Sequence, residues 1–147
     1  MKTFFVLFAI LSFCFNYTLQ AETPHFTVSG TITVHREGVI RLRLVNEDNY
    51  AEKKGELTPY ELTIPVGREE LEQKSLSFTI KDVVADRYCI ICFLDTNGNG
   101  KLDKGLFGPM EPFAMYKSPP FMLGRPQFSD VAFSVDMDIA EIAIELK

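Results

Sequence analysis

The sequence contains few of the side chains that usually serve enzymes as nucleophiles or bases. Its 147 residues include three cysteines and two histidines, and the Gly-x-Ser-x-Gly pattern of many serine hydrolases does not occur. His25 and His35 flank one stretch of alternating residues, a placement typical of surface histidines. We therefore expect that the protein is not an enzyme and has no catalytic residues.

The chain also lacks an apolar stretch as long as a transmembrane helix. One apolar run extends from Phe4 to Phe15, directly behind the charged Lys2, whereas a membrane-spanning helix needs about 20 apolar residues. A short apolar run behind a positive charge is typical of a cleavable signal peptide. We expect residues 1–21 to be removed after Ala21, which leaves a single domain over residues 22–147 in the periplasm or outside the cell.

An excess of basic residues is likewise absent, because 20 acidic residues against 15 basic ones give a net charge of −5. An acidic protein is a poor partner for nucleic acid and for anionic lipid. Cys89 and Cys92 are the cysteines that remain after the predicted cleavage. They lie three residues apart in an apolar stretch typical of a strand, which separates them by about 10 Å. Since a disulfide tolerates only about 7 Å, we expect two buried free thiols rather than a redox or zinc site.

The remaining hydrophobic residues follow a period of two. In the first stretch, Phe26, Val28, Ile32 and Val34 alternate with small polar residues, which is typical of a strand with one buried face. The predicted strands lie near 26–34, 38–46, 60–65, 75–81, 87–94, 129–136 and 139–146. We predict an all-β fold, an antiparallel β-sandwich of about seven strands, immunoglobulin-like or transthyretin-like, with a long loop at 95–127. The first two strands are predicted to form a hairpin. The third, bracketed by two prolines, is predicted to lie at a sheet edge.

Oxygen-rich residues follow the predicted strand 87–94 at spacings that resemble an EF-hand loop. Calcium requires several oxygen ligands on a tightly turning backbone. The predicted ligands are Asp95, Asn97, Asn99, the Lys101 carbonyl, Asp103 and, as an additional ligand, Glu111. Gly100 occupies the sixth position, where the chain must turn sharply, but Leu106 stands where an EF-hand has its bidentate glutamate. With so few carboxylates, we predict weak calcium binding, with a Kd on the order of 10⁻⁴–10⁻³ M.

Other interpretations of this region stay open. Asn-Gly occurs twice, at 97–98 and 99–100, and is a strong turn signal without any metal. The three carboxylates could instead be the acid–base set of a small extracytoplasmic hydrolase. Further along, residues 105–128 are rich in proline, glycine, methionine and aromatic side chains. A loop this long either binds a partner, such as an envelope glycan or protein, or caps one end of the sandwich.

The C-terminal half resembles a known bacterial family. The residues that carry the resemblance are Tyr88-Cys89, the run from Asp95 to Asp103, Gly108-Pro109, Glu111-Pro112, Gly124, Pro126, Phe128 and Ala132-Phe133. This pattern is similar to that of the exported bacterial proteins called domain of unknown function 2141. The chain departs from it at Leu94, where the family often has histidine, and at Ala114, where it often has glycine. The resemblance implies export and a β-sandwich but names no ligand. We therefore expect an exported non-catalytic cell-envelope protein, a calcium-stabilised structural or ligand-binding module.

Overall fold

The structure, a computed structural model, describes residues 22–51, 58–106, 108–117 and 124–147. The predicted signal peptide, residues 1–21, lies outside the described residues and stays a prediction. Among the described residues, several β-sheets pack against each other, which confirms the predicted all-β sandwich. None of the described helices has the length and apolar character needed to cross a membrane.

The described residues form ten strands and three short helices. The strands are β1 (His25–Thr33), β2 (Gly38–Asn46), β3 (Glu61–Val66), β4 (Ser75–Val84), β5 (Asp86–Asp95), β6 (Lys104–Gly105), β7 (Gly108–Pro109), β8 (Phe113–Met115), β9 (Phe133–Val135) and β10 (Ile139–Glu145). The helices are α1 (Glu47–Ala51), α2 (Arg68–Gln73) and α3 (Phe128–Val131). Three of the strands, β6 to β8, lie within the segment 95–127 that was predicted as a long loop, of which residues 107 and 118–123 are outside the described part.

The first sheet has three strands in the order β10-β1-β4. β1 pairs with β4 in antiparallel fashion and with β10 in parallel fashion, so the sandwich is not wholly antiparallel. β10 passes close to β1 at Gly30, where a Cβ atom would lie 2.0 Å from the carbonyl oxygen of Ile142. The first sheet therefore depends on a residue without a side chain at its centre.

The second sheet has the order β3-β2-β5-β8, and β9 pairs with the first part of β5. β3 lies at the edge of this sheet, as the two prolines predicted, and Pro65 stands opposite Val39 of β2. The predicted hairpin of the first two strands is wrong, because β1 and β2 belong to different sheets. The predicted strand 129–136 is also partly wrong, since its first residues form α3 and only Phe133–Val135 is strand.

Two apolar clusters lie on opposite faces of β5. The main core fills the space between the two sheets and includes Cys92, whereas Cys89 belongs to a smaller cluster with residues of α1 and α3. Both cysteines are free and fully buried, as predicted. Burial raises the pKa of the Cys89 thiol and of the Cys92 thiol to about 12, so both stay protonated and unreactive near neutral pH.

Candidate functional site

The predicted calcium loop begins at the last residue of β5 and ends just before β8. Asp95 is 1% exposed, although a carboxylate is rarely buried so completely unless it is paired. Its Oδ1 accepts hydrogen bonds from the N–H groups of Gly98 at 2.7 Å and Asn99 at 3.2 Å. Its Oδ2 accepts one from the Gly100 N–H at 2.8 Å. The loop therefore turns around the Asp95 carboxylate, which stands inside the turn.

Arg41 supplies the positive charge that balances Asp95. Its Nε and Nη2 lie 3.4 and 3.3 Å from Asp95 Oδ2, and its Nη1 donates to Thr63 Oγ1 at 3.1 Å. Burial alone would raise the pKa of the Asp95 carboxyl, but the N–H groups of Gly100 and Gly98 and the Arg41 guanidinium outweigh burial and lower it. Asp95 is therefore a permanently ionised anchor of the loop at neutral pH.

Sequence reasoning missed Arg41, which lies on β2 far from the loop in the chain. The register places Arg41 opposite Phe93 of β5. Residues two apart on a strand share a face, so Arg41 is a diagonal neighbour of Asp95. Arg41 alternates with the buried residues Ile40 and Leu42, so the sequence of β2 itself indicates that Arg41 points away from the core. The missing information was which strand lies beside β2.

Glu111 closes the far end of the loop and is also buried, at 6% exposure. Its Oε1 accepts from the N–H of Thr96 at 2.8 Å and from the Thr96 hydroxyl at 3.1 Å. Its Oε2 accepts from the N–H of Asp103 at 3.3 Å. The Glu111 carboxylate thus connects Thr96 at the beginning of the loop and Asp103 in its middle to Glu111 at its end. Thr96, which the calcium motif does not use, is the second residue that sequence reasoning missed.

The more exposed predicted ligands meet on the outer side of the loop. The amide nitrogens of Asn97 and Asn99 donate to the carboxylate of half-buried Asp103 at 2.6 Å and 3.1 Å. The amide oxygens of the same residues accept the N–H groups of Asn99 at 3.0 Å and Lys101 at 2.7 Å. The structure therefore gathers the predicted residues into one loop, but by hydrogen bonds among themselves.

The geometry fits calcium only in part. Within residues 22–51, 58–106, 108–117 and 124–147, no three His, Cys, Asp or Glu side chains form a group that could hold a metal ion. Asp95 is already neutralised by Arg41, at an N–O distance of 3.3 Å. At Asp103, amide nitrogens stand where a cation would bind, so both asparagine amides would have to turn before their oxygens could act as ligands. Turning them would break the two hydrogen bonds that these oxygens accept from the backbone.

The aromatic residues downstream pack mainly against the sandwich. Tyr116 meets Phe133 edge to face, with ring centroids 5.4 Å apart. Phe128 is buried and lies 5.5 Å from the ring of Tyr50, whose hydroxyl donates to the Pro126 carbonyl at 2.7 Å. The guanidinium carbon of Arg125 lies 3.8 Å from the centre of the Tyr50 ring. In the described part of this segment, these side chains pack against the domain, and the binding of a partner by this segment stays a prediction.

Comparison with known proteins supports the resemblance. A family model described as an uncharacterized protein conserved in bacteria, DUF2141, matches residues 28–143. The match includes every strand from β2 to β9, the loop around Asp95 and most of β1 and β10. No curated protein and no solved structure matches the chain. The chain therefore belongs to the DUF2141 family of bacterial proteins.

Proposed function

We propose that the protein is an exported, non-catalytic module of the cell envelope with a structural or ligand-binding role. The observation that carries this proposal is the use of Asp95 and Glu111, whose four carboxylate oxygens all accept hydrogen bonds from the protein itself. A carboxylate that acts as general acid or base must be free to exchange a proton with a substrate. Both groups instead hold the loop in place, and the pKa of Asp95 is lowered rather than tuned towards neutral pH.

The alternative, a small hydrolase that uses the loop carboxylates, requires at least two of them to face a substrate. Asp95 and Glu111 are buried, whereas Asp103 is only half-buried. The side-chain amides of Asn97 and Asn99 donate hydrogen bonds to the Asp103 carboxylate. A turnover test separates the two functions. The protein is incubated with chromogenic ester, phosphate and glycoside substrates, beside the Asp103→Asn variant and the control Asp136→Asn. Hydrolysis that disappears in Asp103→Asn at unchanged stability, and persists in Asp136→Asn, would overturn the non-catalytic proposal.

We also propose that calcium binds weakly to the loop and stabilises it. Asp103 is the charged ligand with which calcium would interact first, because Asp95 is already paired with Arg41. Binding to the folded state alone contributes RT ln(1 + [L]/Kd), about 1.4 kcal/mol at ten times Kd. For a domain of this size that corresponds to a rise in Tm of a few degrees. Magnesium at equal concentration should give a smaller rise, because it demands a tighter octahedral geometry.

Thermal unfolding with and without 10 mM calcium tests the proposed calcium binding independently of the proposed non-catalytic role. Asp103→Asn should lose the calcium-dependent rise in Tm, whereas Asp136→Asn, an exposed carboxylate between β9 and β10, should keep it. If the wild type shows the same shift with calcium and with magnesium, the metal proposal is wrong, and the non-catalytic module stands without it.

Export is tested by intact mass. When the full chain is expressed in a bacterial host, the protein recovered from the periplasm should begin at or near Glu22, because the apolar run behind Lys2 is typical of a signal that is removed. Recovery of the whole of residues 1–21 on the periplasmic protein, or of the protein from the cytoplasm alone, would contradict this part of the proposal.

A further inference from the structure

The two buried cysteines of β5 cannot be joined while the strand is intact. Their side chains pack on opposite faces of the sheet, Cys92 in the main core and Cys89 in the smaller cluster beside α1 and α3. Three steps along a strand separate their Cα atoms by about 10 Å, whereas a disulfide tolerates only about 7 Å. A bond between the two thiols would require β5 to shorten by about 3 Å and one side chain to change faces.

The strands beside β5 oppose such a change, because β5 is an interior strand. On one side, β2 pairs with it along residues 88–95. On the other side, β8 pairs with residues 91–93, and the N–H of Tyr116 donates to the Ile90 carbonyl at 3.1 Å. A shortened β5 would break this pairing and shift the register of the rest of the strand, and a shift by one residue exchanges its two faces. The fold and a disulfide between the two cysteines therefore exclude each other.

The unfolded chain has no such restriction. Two cysteines with two residues between them can close a disulfide ring, and this is the spacing of the disulfide in many thiol oxidoreductases. The thiols also become more reactive on unfolding. The pKa of the Cys89 thiol and of the Cys92 thiol is about 12 in the folded protein, against about 8.5 for an ordinary thiol. Unfolding therefore raises the fraction of reactive thiolate near neutral pH roughly a thousandfold.

We propose that oxidation of Cys89 and Cys92 controls whether this chain can fold: a disulfide oxidant that reaches the unfolded chain joins the two thiols and blocks the formation of β5. One thiolate of the pair attacks the disulfide of the oxidant and releases its first thiol, and the second cysteine then displaces the other thiol from the mixed disulfide. Two electrons and two protons pass from the pair to the oxidant, and a dithiol reductant reverses the reaction. An exported chain meets such oxidants in the periplasm, but the reaction itself does not depend on export.

Refolding of an oxidised chain tests the proposal. The full chain carries Cys14→Ala, so the cysteines of β5 are its only thiols whether or not residues 1–21 have been removed. It is unfolded in urea, treated with oxidised glutathione at low protein concentration, and diluted out of urea. Intact mass after alkylation should show an internal disulfide rather than a glutathione adduct. Circular dichroism should show that the oxidised chain has lost the cooperative urea transition, and dithiothreitol added to the same sample should restore it.

Two controls separate the disulfide from the treatment. The folded protein, incubated with the same oxidant without urea, should keep both thiols and its urea transition. The variant that also carries Cys89→Ala and Cys92→Ala should fold after the full treatment, because it has no thiol to oxidise.

Three results would overturn the proposal. In the first, the chain with the internal disulfide folds as well as the reduced chain. In the second, oxidised glutathione joins the two thiols in the folded protein, or fails to join them in the unfolded chain. In the third, dithiothreitol does not restore the folding of the oxidised chain, since the loss would then have another cause.

Discussion

Replacing Asp95 by asparagine should destabilise the protein severely. The carboxylate accepts backbone N–H groups on both oxygens and pairs with Arg41. Asparagine has one oxygen, so it can face either Gly98 and Asn99 or Gly100 and Arg41. Its NH₂ group then meets donors on the other side. Wherever it points, at least one buried N–H loses its acceptor, and the arginine loses its charge partner.

The size of the loss follows from these contacts. An unsatisfied buried donor costs about 1–3 kcal/mol, and breaking a buried ion pair by removing one partner costs about 3–5 kcal/mol. Because Arg41 is 23% exposed and water can solvate it in part, we expect the lower part of this range, about 3 kcal/mol. For a domain of this size, the Tm should fall by roughly 10–15 °C.

The chain offers a matched control on the same strand. Arg43 and Glu61 form an ion pair with the same N–O distance, 3.3 Å, but the Glu61 side chain is 31% exposed whereas that of Asp95 is fully buried. Glu61→Gln should therefore cost less than about 1 kcal/mol. Urea unfolding at pH 7, followed by circular dichroism, measures both variants. Equal losses for the two variants, or a loss below 1 kcal/mol for Asp95→Asn, would refute the account of the loop as a structure built around a buried carboxylate.

Three further predictions follow from the described contacts. Because the pKa of Asp95 is lower in the folded protein than its unfolded value of about 3.9, its contribution is complete above that pH and is lost as the pH falls through the folded pKa. The difference in the free energy of unfolding between the wild type and Asp95→Asn should therefore become smaller as the pH is lowered. A difference that stays constant with pH contradicts this. Cys89 and Cys92 should resist Ellman's reagent at pH 8 and react fully in denaturant, because burial raises the pKa of each thiol to about 12; rapid labelling of the native protein contradicts this. Gly30→Ala should lower stability by about 2 kcal/mol or more in urea unfolding, instead of the gain usual for this change in a strand, since its Cβ would overlap the Ile142 carbonyl; a stabilised variant contradicts this.

The sequence predicted which segments are strands far better than it predicted their partners. The alternation in β1 and β2 identified both strands almost to the residue. Alternation records which face of a strand is buried, however, and both sheets of a sandwich bury one face. Nothing in residues 34–37 distinguishes a hairpin turn from a crossing to the other sheet. In α3, Phe128 and Val131 are spaced like one helical turn, but so short a helix is hidden by the strand that follows it.

The loop, too, was predicted from neighbouring residues in the sequence, whereas its contact with a distant strand was not. The sequence predicted that the chain turns sharply at Gly100, and in the structure Gly98 and Gly100 both have positive φ. Local spacing could not reveal that Arg41 balances the charge at its centre. A calcium motif and a turn closed around an arginine-paired aspartate use the same local residues, so local spacing does not distinguish them.

The parallel pairing of β1 with β10 has a consequence for the order in which the chain can fold. Thr27 of β1 donates its N–H to the side chain of Asp138, 111 positions further along the chain. A chain that emerges N-terminus first, from a ribosome or a translocation channel, therefore presents β1 at the start and completes its pairing at the end. Until β10 arrives, one edge of β1 has unpaired N–H and C=O groups that could pair with another chain. Such distant pairing also makes folding slow. A factor that holds the emerging protein unfolded would thus protect this strand until β10 is available.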